Sequence, residues 1–215
     1  MRWGMVIDLK KCVGCYSCVV ACKQEHFLPP NIFWNKVLIT HEGTYPAVTK
    51  EILPILCNHC KEAACVKVCP TGASYIREDG IVLIDSDKCM GCRYCIIACP
   101  YQHRTSFKKY TPYFKGEDYT PPEKLGMELY PLQEGTAVKC TFCVEKIDEG
   151  LQKGLKPGVD YEATPACVTA CPAKARYFGD LDDPDSEVSR LIREKKGSPL
   201  APEFGTEPSV YYLRY

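Results

Sequence analysis

Residues 65–99 read CVKVCPTGASYIREDGIVLIDSDKCMGCRYCIIAC. Within them Ser74-Tyr75-Ile76-Arg77 and Ile81-Val82-Leu83-Ile84 are apolar-rich stretches separated by Glu78-Asp79-Gly80. Asp-Gly between two such stretches signals a hairpin, because the tight turn needs residues that accept positive φ. Cysteines bracket the hairpin. Cys65 and Cys69, followed by Pro70, come before it; Cys89, Cys92, Cys95 and Cys99, followed by Pro100, come after it.

The other cysteines repeat this grouping. A first set is Cys12, Cys15, Cys18, Cys22, spaced C-x2-C-x2-C-x3-C. A second is Cys57, Cys60, Cys65, Cys69, spaced x2, x4, x3. The third, Cys89, Cys92, Cys95, Cys99, is spaced like the first. The fourth is Cys140, Cys143, Cys167, Cys171, spaced x2, x23, x3. Together they use all 16 cysteines of the 215-residue chain. Two x2 gaps wrap a short loop over three corners of an iron–sulfur cube, and the fourth cysteine, a turn further on, points to a second cube. Disulfides fit poorly, since three cysteines of one loop cannot all find partners at the required geometry. Zinc fits poorly as well, because its thiolate sites use two separated CxxC knuckles. The expected cofactors are therefore four 4Fe–4S clusters. With no thiolate missing, none offers an open iron to a substrate, so the clusters carry electrons.

An internal repeat suggests how the sets pair. Residues 5–22 align with 82–99, sharing Ile-Asp, a Lys before the first Cys, Gly before the second and Ala before the last. Residues 65–75 align with 167–177. Such self-similarity marks duplicated units. The order of cysteines, hairpin and cysteines in 57–100 resembles a bacterial dicluster ferredoxin, so sets two and three form one unit. Ala175-Arg176-Tyr177-Phe178-Gly179 matches the first arm of its hairpin and Met5-Val6-Ile7-Asp8 the second. The same hairpin is thus expected between the two ends of the chain. Exchange of the fourth ligand then gives Cys12, Cys15, Cys18 with Cys171; Cys140, Cys143, Cys167 with Cys22; Cys57, Cys60, Cys65 with Cys99; and Cys89, Cys92, Cys95 with Cys69. Pairing set one with two and three with four needs linkers of 34 and 40 residues and leaves the hairpin unexplained.

The expected fold class is α+β: two dicluster ferredoxin-like modules, one nested within the other. The outer module is 1–56 with 139–180, the inner 57–100. A Tyr/Pro-rich connection covers 101–138, and a C-terminal helix and tail cover 181–215.

Composition narrows the partners. Lys+Arg and Asp+Glu balance at 27 each, which argues against a nucleic-acid binder or a basic membrane-surface protein. The apolar fraction of 46% argues for a packed core. The start, Met1 to Asp8, leads straight to Cys12 without an apolar leader, so no signal peptide of its own is expected. No apolar run is long enough to cross a bilayer.

CNHC at 57–60, CVKVCPTGA at 65–73, KCMGCRYCIIACPY at 88–101, KCTFC at 139–143 and PACVTACPAKARYFGDLDDPDSEVSRLI at 165–192 resemble the iron–sulfur electron-transfer subunit of the DMSO reductase family of molybdenum and tungsten enzymes. The resemblance covers nearly the whole chain. Gly179 to Pro184 and the tail 205–213 look most like subunits of arsenate, tetrathionate, thiosulfate or polysulfide reductases. It implies a molybdopterin or tungstopterin catalytic subunit as partner and a quinone-binding membrane anchor as a second, with the first-set cluster nearest the catalytic subunit. It fits either a periplasmic subunit co-exported with its partner or a cytoplasmic one. Some relatives replace a third-set Cys by Trp; Cys92 is kept here. Lys23 stands where the other sets have Pro, which puts only the local turn in question. A free polyferredoxin carrier and the relay subunit of a hydrogenase-like complex are the alternative readings.

Between the motifs, 101–138 shows little periodicity. It either docks a partner through its tyrosines or covers the chain's own clusters. Residues 185–196 read as an amphipathic helix capped by Asp185 or Ser186, with Val188, Leu191 and Ile192 on one face. The stretch after Cys143 reads as a helix start. The tail from 197 has no core of its own and is expected on this subunit or a neighbour. His26, His41, His59 and His103 share no ligand spacing; His59, between Cys57 and Cys60, either tunes its cluster or bonds backbone. Lys139 and Arg93, beside cluster ligands, either offset cluster charge, meet a partner, or are solvated.

Overall fold

A computed structural model describes residues 1–214; Tyr215, the last residue of the tail, lies outside them. The chain starts with β1 (Trp3–Asp8), α1 (Ser17–Glu25) and two long strands, β2 (Asn35–Thr44) and β3 (Ala47–Leu56). Its centre holds α2 (Ala64–Lys67), β4 (Ser74–Ile76), β5 (Val82–Ile84) and α3 (Tyr94–Ile97). There follow β6 (Thr105–Ser106), α4 (Pro121–Leu129), β7 (Ala137–Val138), α5 (Val144–Gln152), α6 (Ala166–Thr169) and β8 (Arg176–Asp180). The last elements are α7 (Glu187–Glu194), β9 (Ser198–Pro199) and β10 (Val210–Leu213).

The central hairpin forms where Asp79-Gly80 placed it. Strands β4 and β5 pair antiparallel, Ser74 opposite Ile84 and Ile76 opposite Val82. Gly80 takes φ 79, and Asp79 Oδ1 accepts the Ile81 N–H at 3.2 Å. Strands β1 and β8 pair antiparallel as well, Met5 opposite Phe178 and Ile7 opposite Arg176. The two repeated arms, far apart in sequence, therefore meet.

The tail completes this second sheet. Strand β10 lies parallel to β1, Met5 opposite Val210, and the order is β8-β1-β10-β9. Helix α7 covers the sheet, with Val188 and Leu191 buried against Val6 and Leu213. Ser186, rather than Asp185, is its N-cap and accepts the Ser189 N–H at 3.2 Å. The expectation of a tail on this subunit or a neighbour resolves to this subunit. Trp3, Met5, Ile7, Phe142, Phe178 and Tyr212 anchor the main core.

Three features go beyond the sequence reading. Residues 35–56 form a ten-residue-a-side hairpin, Asn35 opposite Leu56 through Thr44 opposite Ala47. The 101–138 connection contains α4, opened by a capping box between Thr120 and Glu123 with Pro at the first turn, where a missing N–H costs nothing. Its tyrosines bond this chain: Tyr113 Oη donates to Leu28 O at 2.7 Å, and Tyr110 Oη accepts from Leu132 N at 2.6 Å. Lys23, in place of Pro, lets α1 continue to Glu25 and donates to the carbonyls of Pro29, Pro30 and Ile32. Among the described residues no helix is long and apolar enough to cross a membrane.

Candidate iron–sulfur centres

The local chain shapes each cysteine loop. Gly14 and Gly91 occupy equivalent places with φ 68 and 72, and Tyr16 and Arg93 follow at φ 61 and 65. A left-handed step, an ordinary step and another left-handed step curl the loop; backbone that alternates in this way can cup an anion with its N–H groups. Short helices begin directly after Tyr16 and Arg93 and carry Cys18 and Cys95. Helix α1 packs against α6, and α2 against α3.

None of the sixteen cysteines is in a disulfide. Two cavities are ringed by cysteines. One is lined by Cys12, Cys15, Cys18 and Cys171, with Ile7, Val37 and Pro54 among its walls. The other is lined by Cys57, Cys60, Cys65 and Cys99, with Ala63 and Val82. They are nearly equal in size. Each holds three cysteines of one set and the last of another.

Cys22, Cys140, Cys143 and Cys167 are all buried. Burial pushes the Cys140 thiol up to about 12, and the Cys167 and Cys57 thiolates add to it. Cys22 and Cys143 are held well above the usual thiol range, first by burial and then by their neighbours, Cys140 and Cys167 for both. Packed together without a cation these groups stay protonated; a bound metal ionises them outright. Of Cys69, Cys89, Cys92 and Cys95, the first two are half-buried, Cys92 is exposed and Cys95 is buried. The Cys69 sulfur accepts the Ser74 N–H at 3.4 Å, and the Cys171 sulfur accepts the Ala175 N–H at 3.3 Å.

Buried polar atoms test the fit of a cluster. Asn58 and Arg104 line the second cavity. Asn58 Nδ2 and Oδ1 and Arg104 Nε and Nη2 are buried without a hydrogen-bond partner. Unsatisfied buried donors are costly; sulfur acceptors inside the cavity would satisfy them. Among the described residues no three His, Cys, Asp or Glu side chains converge as on a single ion. A polynuclear group spanning four corners fits this donor set.

The histidines divide. His59 is fully buried, accepts the Val82 N–H on Nδ1 at 3.1 Å and stacks on Phe142 at 3.8 Å. The stack joins the CNHC loop to the CTFC loop. His26 and His103 occupy equivalent places, each four residues beyond the last cysteine of its set. His26 Nε2 lies 3.2 Å from Cys143 Sγ, and His103 lines the second cavity. Extending the repeat past the cysteines reveals that equivalence; comparing ligand spacings misses it. His41 sits in the exposed outer half of β2. Lys139 is not solvated: it is 3% exposed and donates to the Val82 and Cys140 carbonyls. Arg93 is exposed.

Known sequences agree with this site. Residues 48–116 match a 4Fe–4S dicluster domain and residues 3–24 a 4Fe–4S binding domain. The chain is 43% identical to the iron–sulfur subunit of arsenate respiratory reductase from Shewanella sp., over 100% of this chain and 97% of that one. It is 44% identical to a subunit of selenate reductase from Mesobacillus selenatarsenatis, covering 99% and 72% of the two. A subunit of tetrathionate reductase from Salmonella typhimurium is 38% identical, with 99% and 72% covered. The chain belongs to the iron–sulfur subunits of the DMSO reductase family. As a member of that family it is an iron–sulfur electron-transfer subunit, and its sixteen cysteines with the two domain matches support four 4Fe–4S clusters.

Proposed function

We propose that this iron–sulfur protein is a linear four-centre relay between a pterin-bound molybdenum or tungsten catalytic subunit and a second redox partner, a quinone-linked membrane anchor. The supporting observation is which cysteines are exposed. Of the sixteen, Cys15 and Cys92 are, and they hold equivalent places in sets one and three. In sequence each is flanked by exposed apolar side chains: Val13 and Val20 around Cys15, Met90 and Ile97 around Cys92. Exposed apolar residues of this kind suit protein contacts. Sets one and three thus form the ends. The middle falls to the centre of the buried Cys22, Cys140, Cys143 and Cys167 and to that of Cys57, Cys60, Cys65 and Cys99, none of which is exposed.

In this reading Cys12, Cys15, Cys18 and Cys171 hold one cluster, and Cys22, Cys140, Cys143 and Cys167 the next. Cys57, Cys60, Cys65 and Cys99 hold the third along the path, and Cys69, Cys89, Cys92 and Cys95 the last. The two cavities and the α1–α6 and α2–α3 contacts support these sets. The β1–β8 pairing supports an outer module, 1–56 with 139–180, enclosing an inner one at 57–100. Bound clusters supply one-electron transfer. The chain supplies thiolates, backbone N–H groups that favour the anionic clusters, and apolar walls that exclude water. Full-length likeness to subunits of arsenate and selenate reductases supports a complex over a free carrier.

Iron and labile sulfide per chain, with EPR of the reduced complex, test the reading. About sixteen irons and four cluster signals are expected. Zinc with little sulfide, or fewer than four clusters in a fully loaded complex, refutes it.

A further inference from the structure

We propose that Arg176, Lys139 and Arg104 are buried cations standing one in each interval of the relay, each raising the reduction potentials of the two centres it separates. This rests on the ligand sets proposed above.

Arg176 stands between the first two centres. It lines the Cys12–Cys171 cavity. Its Nη2 donates to Cys18 Sγ at 3.4 Å and to Asn35 Oδ1 at 3.0 Å. It also faces Cys167 of the next centre. Lys139 stands in the middle interval: its ammonium group donates to the carbonyl of Cys140, a ligand of one centre, and of Val82, a wall of the next. Arg104 stands in the last. It lines the Cys57–Cys99 cavity, faces Cys95 beyond it, and donates through Nη1 to Ser74 Oγ at 2.6 Å. Ser74 in turn donates its N–H to Cys69.

The three are 5%, 3% and 4% exposed. Among the described residues no Asp or Glu pairs with any of them. A buried cation without an anion is strongly unfavourable, so the anions these serve are the thiolate-bound clusters. The repeat adds an independent observation. Arg176 aligns with Ser74 in the 65–75 and 167–177 segments, and Arg104, from elsewhere in the chain, places its guanidinium on Ser74. Both modules thus acquire a guanidinium at one place by different routes. A nearby positive charge favours the more negative, reduced cluster, and low dielectric strengthens the effect.

The test is an EPR-monitored redox titration of the whole complex carrying Arg176→Gln, Lys139→Met or Arg104→Gln, with iron and sulfide measured alongside. Each fully loaded variant is expected to lower two of the four potentials. Lys139→Met shares one affected centre with each arginine variant, and the two arginine variants share none. Asn35→Asp and Ser74→Asp, which place a carboxylate beside Arg176 and Arg104 without removing either, should lower the same pairs. They serve where a deletion fails to load. Unmoved potentials at full iron, or shifts confined to one centre or spread equally over four, overturn the inference and leave the relay standing. A wild-type complex with fewer than four clusters overturns the relay instead.

Discussion

The loops 12–22 and 89–99 have one sequence frame and one backbone, yet they are built into the molecule differently. In the first, a Cβ on Gly14 would meet the flexible side chain of Ile52 on β3, 3.2 Å away; in the second, a Cβ on Gly91 would sit 2.4 Å from the backbone carbonyl of Gly135. The first loop lines a cavity with Cys171 and packs α1 on α6, toward the other end of the chain. The second packs α3 on α2, and in the proposed ligand sets it takes Cys69, a hairpin away. Loop shape is therefore a local property of glycine placement and cysteine spacing. Loop position depends on whatever the chain brings alongside. The outer sheet is closed over most of the sequence; the inner hairpin is closed over a few residues, although its 57–62 loop also bonds the tail, Ser209 N–H donating to Asn58 O at 2.8 Å.

The sharpest way to break the comparison is to remove one ligand from each side. Cys167→Ser strikes a buried ligand on α6, in contact with α1. Iron is expected to fall from about sixteen to about twelve per chain, with loss of soluble protein. Cys92→Ser strikes an exposed ligand and is expected to leave a folded chain that keeps about fifteen irons. Iron analysis and soluble yield read both; equal loss from the two would erase the distinction.

Leu213→Ala probes the strand that completes the outer sheet. Leu213 is fully buried against Val6 and Val188, and its truncation is expected to cost about 2–5 kcal/mol. Denaturant unfolding should show that loss, while EPR signals of the inner pair persist at moderate denaturant.

The smallest effect separates the two glycines. Each Gly→Ala change meets a positive φ, worth about 1–2 kcal/mol. Gly91→Ala adds a backbone clash of roughly 1–3 kcal/mol, whereas at Gly14 the Ile52 side chain can yield. Thermal unfolding should rank Gly91→Ala below Gly14→Ala; the reverse order would mean that the Gly135 contact is not rigid.

Much of the site was legible because cysteine spacing and the repeat are local and leave no residue over. The β4–β5 hairpin carried its own Asp-Gly turn, and the β1–β8 pairing followed from the repeat. Other elements lacked such marks. Most of β2 and β3 beyond Val37 and before Pro54 is exposed or half-exposed, so alternation fades along both strands. Helix α4 carries two prolines and Gly126 in nine residues, which read as breakers although the prolines occupy the first turn. Strand β10 is four residues long and pairs parallel with a strand at the far end of the sequence, so nothing nearby announces it. The buried state of Lys139 was equally hidden, since a lysine beside a cysteine looks the same solvated or enclosed.

The sheet order β8-β1-β10-β9 also sets a schedule for biosynthesis. During synthesis, β1 is made early but cannot gain either neighbour until β8 and then β10 have been translated. The central hairpin and both of its cysteine loops are complete long before that. On a nascent chain the β4–β5 hairpin can therefore pair early, whereas the 57–62 loop gains its bonds to 206–209, and β1 its neighbours, only when the tail is made.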